Sequence, residues 1–187
     1  ADLSAPQISH NPAHAATIGV NPIISAFVFD DQTSGQSFSN PSDGGNEYFS
    51  LMYATTTWYA VNTSTRVSYP NEFELYKFTL PTSTASTTFR YYLTASDNAG
   101  NKRFFCATPS AVSATDCQNN PFIVTGVALG SRTVAGTITS GGSSVSGAYV
   151  FADGYAKLAI TTAGDGTYTV AGLPDNDAFD FVAHKFT

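Results

Sequence analysis

Residues 133–174 read TVAGTITSGGSSVSGAYVFADGYAKLAITTAGDGTYTVAGLP, and this stretch decides the fold. Val134, Gly136 and Ile138 alternate with Thr133, Ala135, Thr137 and Thr139. A period of two puts one set of side chains on each face of a strand, so the pattern is that of a half-buried strand and not of a helix. Gly141-Gly142-Ser143-Ser144 follows and predicts a turn, because glycine reaches positive φ without a Cβ clash. The alternation returns at 148–152 and at 157–162. Asp165-Gly166 lies between Thr161-Thr162 and Tyr168-Thr169-Val170 and predicts a hairpin there. Gly172-Leu173-Pro174 ends that strand, since proline has no N–H to give to a ladder. Phe179, Phe181 and Ala183 give a last strand face. About five strands fit into this last third of the chain, with no helical period.

Working outward, the order Gly136-Thr137-Ile138, Val145-Ser146-Gly147-Ala148-Tyr149-Val150 and Asp165-Gly166-Thr167-Tyr168-Thr169-Val170-Ala171-Gly172-Leu173-Pro174 resembles the carboxypeptidase regulatory-like, or transthyretin-like, β-sandwich. That family is similar in build to the B-type repeats of bacterial collagen-binding surface proteins. The resemblance implies an accessory module without chemistry of its own. Some relatives carry a self-formed Lys–Asn or Lys–Asp isopeptide bond with the lysine in the first strand. Residues 133–139 contain no lysine, so no such crosslink is expected. Such modules also continue past a segment like Ala183-His184-Lys185-Phe186 into another strand, which predicts an unpaired edge at the end of this chain.

The preceding residues read as a second β-unit of about seven strands. A short edge strand is expected within Pro6-Gln7-Ile8-Ser9-His10-Asn11-Pro12, bracketed by prolines, after a linker or free arm at 1–5. Residues 23–30 are apolar on both faces, as in a strand covered twice; residues 31–46 are Ser-, Gly- and Asn-rich, as in a surface loop. Strands are expected at 48–56, 57–62, 72–80, 87–97, 102–107 and 122–128. In the third of these the apolar phase slips between Leu75 and Tyr76, which predicts a bulge. The strand at 87–97 is the clearest, with Phe89, Tyr91, Leu93 and Ala95 on one face and Arg90, Tyr92, Thr94 and Ser96 on the other. Pro6-x-Ile8-Ser9-His10-x-Pro12 together with residues 91–101, YYLTASDNAGN, is similar to the immunoglobulin/fibronectin-III-like modules of secreted bacterial proteins. The sequence thus predicts an all-β chain of two tandem sandwiches, immunoglobulin-like over 1–128 and transthyretin-like over 129–187.

Composition narrows the function classes. The 187 residues are 42% hydrophobic and 13% aromatic, too rich for disorder, yet only 12% charged. A net charge of −6 without a basic cluster argues against nucleic acid and anionic membranes as partners. No apolar run reaches the roughly 18 residues needed to span a bilayer, and the start Ala1-Asp2-Leu3-Ser4 reads as that of a secreted chain after signal cleavage. Cys106 and Cys117, with Pro109 between them, are expected to pair as a disulfide in an oxidising compartment; two buried thiols are the alternative.

Candidate sites are few. Asp97-Asn98-Ala99-Gly100-Asn101 offers oxygen ligands at short spacing for calcium, with Asp30 placed to join them, but the same residues suit an Asx-type turn. Trp58 and Tyr59 read either as core plugs or, with Tyr48 and Tyr155, as platforms on which a glycan ring would stack. Asn62-Thr63-Ser64 is an N-glycosylation sequon. His10 and His14 are separated by Asn11-Pro12 and lack the helix that would aim them at one zinc ion. No nucleophile motif occurs, so the chain is read as not an enzyme.

The expected role is a structural module of an extracellular fibre or stalk, self-associating or joined to neighbouring modules of the same surface protein. One route would be donation of a strand from residues 1–12 of another copy. The alternatives are a glycan-binding or adhesin module, and an accessory segment of a secreted bacterial protease.

Overall fold

A computed structural model describes residues 4–29, 48–61, 64–67, 74–156, 160–175 and 178–185. The first part of the chain contains β1 (Gln7–Ser9), β2 (Ala15–Thr17), β3 (Ile23–Phe29), β4 (Tyr48–Ala54) and β5 (Trp58–Ala60). It continues with β6 (Ser64–Val67), β7 (Glu74–Thr79), β8 (Thr88–Ser96), β9 (Lys102–Phe105), α1 (Ala114–Asn119) and β10 (Phe122–Val127). Two sheets result, one in the order β1-β3-β7-β6 and one in the order β2-β10-β8-β4-β5, with β9 also on β8. They face each other across one core. Ile24, Ala26 and Val28 of β3 and Tyr76 and Phe78 of β7 meet Phe49, Leu51, Phe89, Tyr91, Leu93 and Val124 of the opposite sheet. The alternation in 87–97 is realised as read: Phe89, Tyr91, Leu93 and Ala95 lie in this core, while Tyr92 joins a separate cluster on the other face.

Three details differ from the sequence reading. The bulge expected in β7 is absent: β7 pairs with β3 from Ile23↔Thr79 to Val28↔Glu74 without a shift. Leu75 simply points to the far side of its sheet, and it is fully buried there because that side is covered as well. The helix α1 was not foreseen. Its cue is Ser113, whose Oγ accepts the Asp116 N–H at 3.2 Å and donates to the Asp116 carboxylate at 2.8 Å, a reciprocal cap. Finally, β1 pairs antiparallel with β3, and Ile8 packs on the chain's own core. Residues 7–9 are therefore already committed within their own sheet and are not a free strand for a neighbour.

The remaining strands are β11 (Arg132–Thr137), β12 (Thr139–Ser140), β13 (Ser143–Ser144), β14 (Tyr149–Ala152), β15 (Ile160–Thr161), β16 (Thr167–Leu173) and β17 (Phe181–His184). At Asp165-Gly166 a turn forms but not the expected hairpin, because β15 and β16 do not pair with each other: Gly166 has φ of 78° and its N–H donates to Ala163 O at 2.9 Å. Beyond that turn the strands join different sheets. β16 pairs antiparallel with β11, with a shift of register between Arg132 and Thr133, whereas β15 pairs with β14 in the order β15-β14-β17. A second core, smaller than the first, gathers Ala152, Tyr155, Val170 and Leu173, with Val134, Tyr168, Phe179 and Phe181 packed around it.

The two cores are joined by packing as well as by chain. β2 pairs in parallel with β10, and Ala15 also bridges to Tyr155. Successive side chains of a strand point opposite ways, so Ala16 enters the first core and Ala15 the second. The outer face of β3 and β7 is roofed by β14 and β17. The Phe27 ring lies 6.3 Å from that of Phe151 and 5.0 Å from that of His184, and Lys77 Nζ stands 5.0 Å over the Tyr149 ring. This roof is why residues 23–30 read as apolar on both faces.

Candidate functional site

Cys106 and Cys117 form a disulfide, with their Cα atoms 5.4 Å apart. It ties the segment carrying α1 over the outer face of β8. Beneath it Tyr92 packs with both cysteines, bordered by Met52, Trp58, Phe104 and Ala114. Burial raises the Tyr92 pKa, opposed by a hydrogen bond with Gln118. The staple thus closes a small apolar cluster outside the sandwich and does not link its two sheets.

The aromatic candidates separate. Trp58 is half-buried, with Tyr92 at 5.2 Å on one side and the Arg90 guanidinium 5.7 Å from its ring centre. Its ring is engaged by the protein, at the border of the small cluster under the disulfide and outside the sandwich core. Tyr59 remains 54% exposed beside Tyr53, and Tyr48 is half-buried. Tyr155 is corrected outright: at 6% exposure it is part of the second core, and its hydroxyl is hydrogen-bonded to Thr17 Oγ1. A buried ring cannot serve as a surface for a sugar.

At the calcium candidate, Asp97 is 1% exposed and spends both carboxylate oxygens on its own turn. Oδ1 accepts the Asn101 backbone N–H at 2.8 Å, and Oδ2 accepts the Asn101 side-chain amide at 2.7 Å. The Gly100 N–H closes the loop on Asp97 O at 3.2 Å, with φ of 89° at Gly100. This is the Asx-type turn. Asn98 lies in the same turn and is exposed, whereas Asp30 and Asn62 fall outside the described residues. Among the described residues no three His, Cys, Asp or Glu side chains are grouped to hold a metal ion, and no helix is long and apolar enough to cross a membrane.

The sequence did not single out the most tightly built polar group. His10 Nδ1 donates to the Ser25 carbonyl at 2.8 Å, which leaves Nε2 to accept from the Tyr91 hydroxyl at 2.8 Å. The Tyr91 oxygen in turn accepts the Ala13 N–H at 2.9 Å. Burial pushes the His10 pKa down to about 4, opposed by the bond to Ser25, and raises that of Tyr91. The network holds the segment leading from β1 into β2 against β8, a stabilising role with no exposed reactive group.

Compared with known proteins, the chain matches no protein-family model and no curated protein sequence.

Proposed function

We infer that the chain is a secreted, non-catalytic structural module, an immunoglobulin-like sandwich followed by a transthyretin-like one, serving as a stiff segment of an extracellular fibre or stalk. The observation that carries this reading is the bridge made by Ala15 and Ala16. One short strand belongs to both cores, and the roof of β14 and β17 lies on the outer face of β3 and β7. Two units joined only by a linker would pivot. Units sharing a strand and a buried aromatic contact transmit force and keep their orientation, which is what a stalk segment requires. The disulfide at Cys106 and Cys117 fits the oxidising space outside the cell. The polar, weakly charged surface fits it too.

Light scattering on the size-exclusion peak, with small-angle scattering on the same fractions, tests the reading. A rigid elongated particle or a polymer supports it. A profile that requires two units in free relative motion overturns it. The exposed Tyr59 favours a second reading, glycan binding. Retention on a glycan array that is lost in Tyr59→Ala would give that reading precedence.

A further inference from the structure

β11 ends its sheet without a neighbour. That sheet has the order β11-β16, and among the described residues nothing pairs with the far edge of β11. The Ile138 N–H donates to Gly166 O at 2.9 Å, which fixes the phase of the ladder. Bonded pairs alternate along an antiparallel ladder. Gly136 and Val134, opposite Tyr168 and Val170, therefore bond to β16, while Thr133, Ala135 and Thr137 turn their N–H and C=O groups outward. The side chains of Thr133, Ala135 and Thr137 are exposed as well.

Proteins guard such edges by keeping them short, by charge or proline, or by a bulge. β1, β2 and β5 are three residues long and β17 is four; β6 contains Arg66, and β9 contains Lys102 and Arg103. On the opposite margin of the β11-β16 sheet, Thr167 O already accepts the Ala163 N–H, and Gly172 has φ of 73°. Residues 133–137, Thr-Val-Ala-Gly-Thr, have neither charge nor proline, and the shift of register lies ahead of them. The same run is complementary to itself. When it is laid antiparallel on a second copy about Ala135, Thr133 meets Thr137, Ala135 meets Ala135, and Val134 meets Gly136. The outward groups then fall opposite one another as bonded pairs, and Thr–Thr is a favourable cross-strand pair.

We propose that β11 pairs antiparallel with β11 of a second copy across a two-fold axis at Ala135, which merges the two β11-β16 sheets into one. Such an interface is isologous and closes as a dimer, so it joins modules side by side and does not extend a fibre. It goes beyond the stalk reading and does not rest on it: only the edge and its register are required.

Light scattering of the intact chain should show the mass rising from monomer to dimer with concentration. A dissociation constant of about 0.1 mM is expected, since so small an interface belongs to the weak class. Ala135→Lys sets two like charges face to face and raises that constant at least about tenfold. Thr169→Lys, equally exposed but on β16, leaves it within about twofold of the parent. Both variants alter exposed side chains and should unfold near the parent's midpoint. Cysteines read the register. In a glutathione redox buffer Ala135→Cys faces its own copy and forms a covalent dimer, because Cα atoms of a bonded pair lie about 5.5 Å apart. Thr137→Cys is displaced from its own copy by about 13 Å along the strands and does not. A mass that stays monomeric at about 1 mM, or that grows past a dimer, overturns the proposal. So does an Ala135→Lys chain that pairs as the parent does, or crosslinking of Thr137→Cys as complete as that of Ala135→Cys.

Discussion

The imidazole of His10 stands 2.8 Å from the hydroxyl of Tyr91, a residue eighty-one positions away, and is held there as the neutral ring. That pairing makes stability depend on pH. The folded-state pKa of about 4 lies below the ordinary 6.5, so the unfolded chain takes up the proton first. The contribution is complete above pH 6.5 and is lost as pH falls from there to about 4. Its size is about 3 kcal/mol at most, from the conversion of a pKa shift to free energy. Half-buried His184, also shifted down by burial, acts in the same direction. Tyr91 stays a phenol throughout. Urea midpoints are expected to drop between pH 7 and pH 4.5 in the parent and to drop much less in His10→Leu, which is itself weaker at pH 7. Parallel profiles for the two proteins would remove His10 as the cause.

Reducing the disulfide should both destabilise the fold and expose its tryptophan. Closing a loop whose ends lie 11 positions apart is worth about 3 kcal/mol in the chain-entropy treatment. Trp58 is the one tryptophan of the chain, and it packs at the edge of the cluster that the staple covers. Fluorescence of the paired variant Cys106→Ala/Cys117→Ala is therefore expected to shift to the red, together with a lower unfolding midpoint. A variant with the parent's spectrum and midpoint would show that the staple covers nothing of consequence.

Much of this architecture is legible in residue order, and the exceptions have physical causes. β8 is readable because Phe89, Tyr91, Leu93 and Ala95 alternate with Arg90, Thr94 and Ser96, with Tyr92 the one large ring on the second face. The turn at Asp165-Gly166 is readable because its chemistry is local. The false bulge at Leu75 arose because a strand covered on both faces loses its alternation, which resembles a slip in phase. β2 is three residues, Ala-Ala-Thr, too short to show any period, yet it joins the two cores. Tyr155 was mistaken for a platform because side-chain type does not reveal which residues from elsewhere in the chain will bury it. A cavity lined by Ser25, Phe151 and His184 is illegible for the same reason, since these residues come from three separate strands.

Gly154, at the junction, is unsuited to a side chain. Gly154 has φ of 74°, and a Cβ there would come within 2.2 Å of the His14 ring. Its carbonyl also accepts the His14 N–H at 2.7 Å, so the two segments cannot simply part. Gly154→Ala is expected to cost about 2–4 kcal/mol, combining left-handed strain with the clash. His14→Ala in the same protein removes the collision but not the strain, so it should recover part of that loss. A double-mutant cycle on urea midpoints measures the recovery. Strictly additive effects would mean that the two residues do not meet.

Asp97 gives the opposing prediction to the one its sequence invites. An Asp-Asn-Ala-Gly-Asn run reads as a cation loop, but a carboxylate that already accepts two N–H groups from Asn101 has its lone pairs turned inward. Calcium would have to displace those bonds and find further oxygens, since it requires about six or more. The unfolding midpoint is accordingly expected to be the same in EDTA and in millimolar calcium. Asp97→Ala should cost about 1–3 kcal/mol in either buffer, because it leaves two amide donors of the turn without their acceptor. A midpoint that rises with calcium in the parent and not in Asp97→Ala would return the site to the cation. With an equal loss in both buffers, the carboxylate's task is to close the turn between β8 and β9.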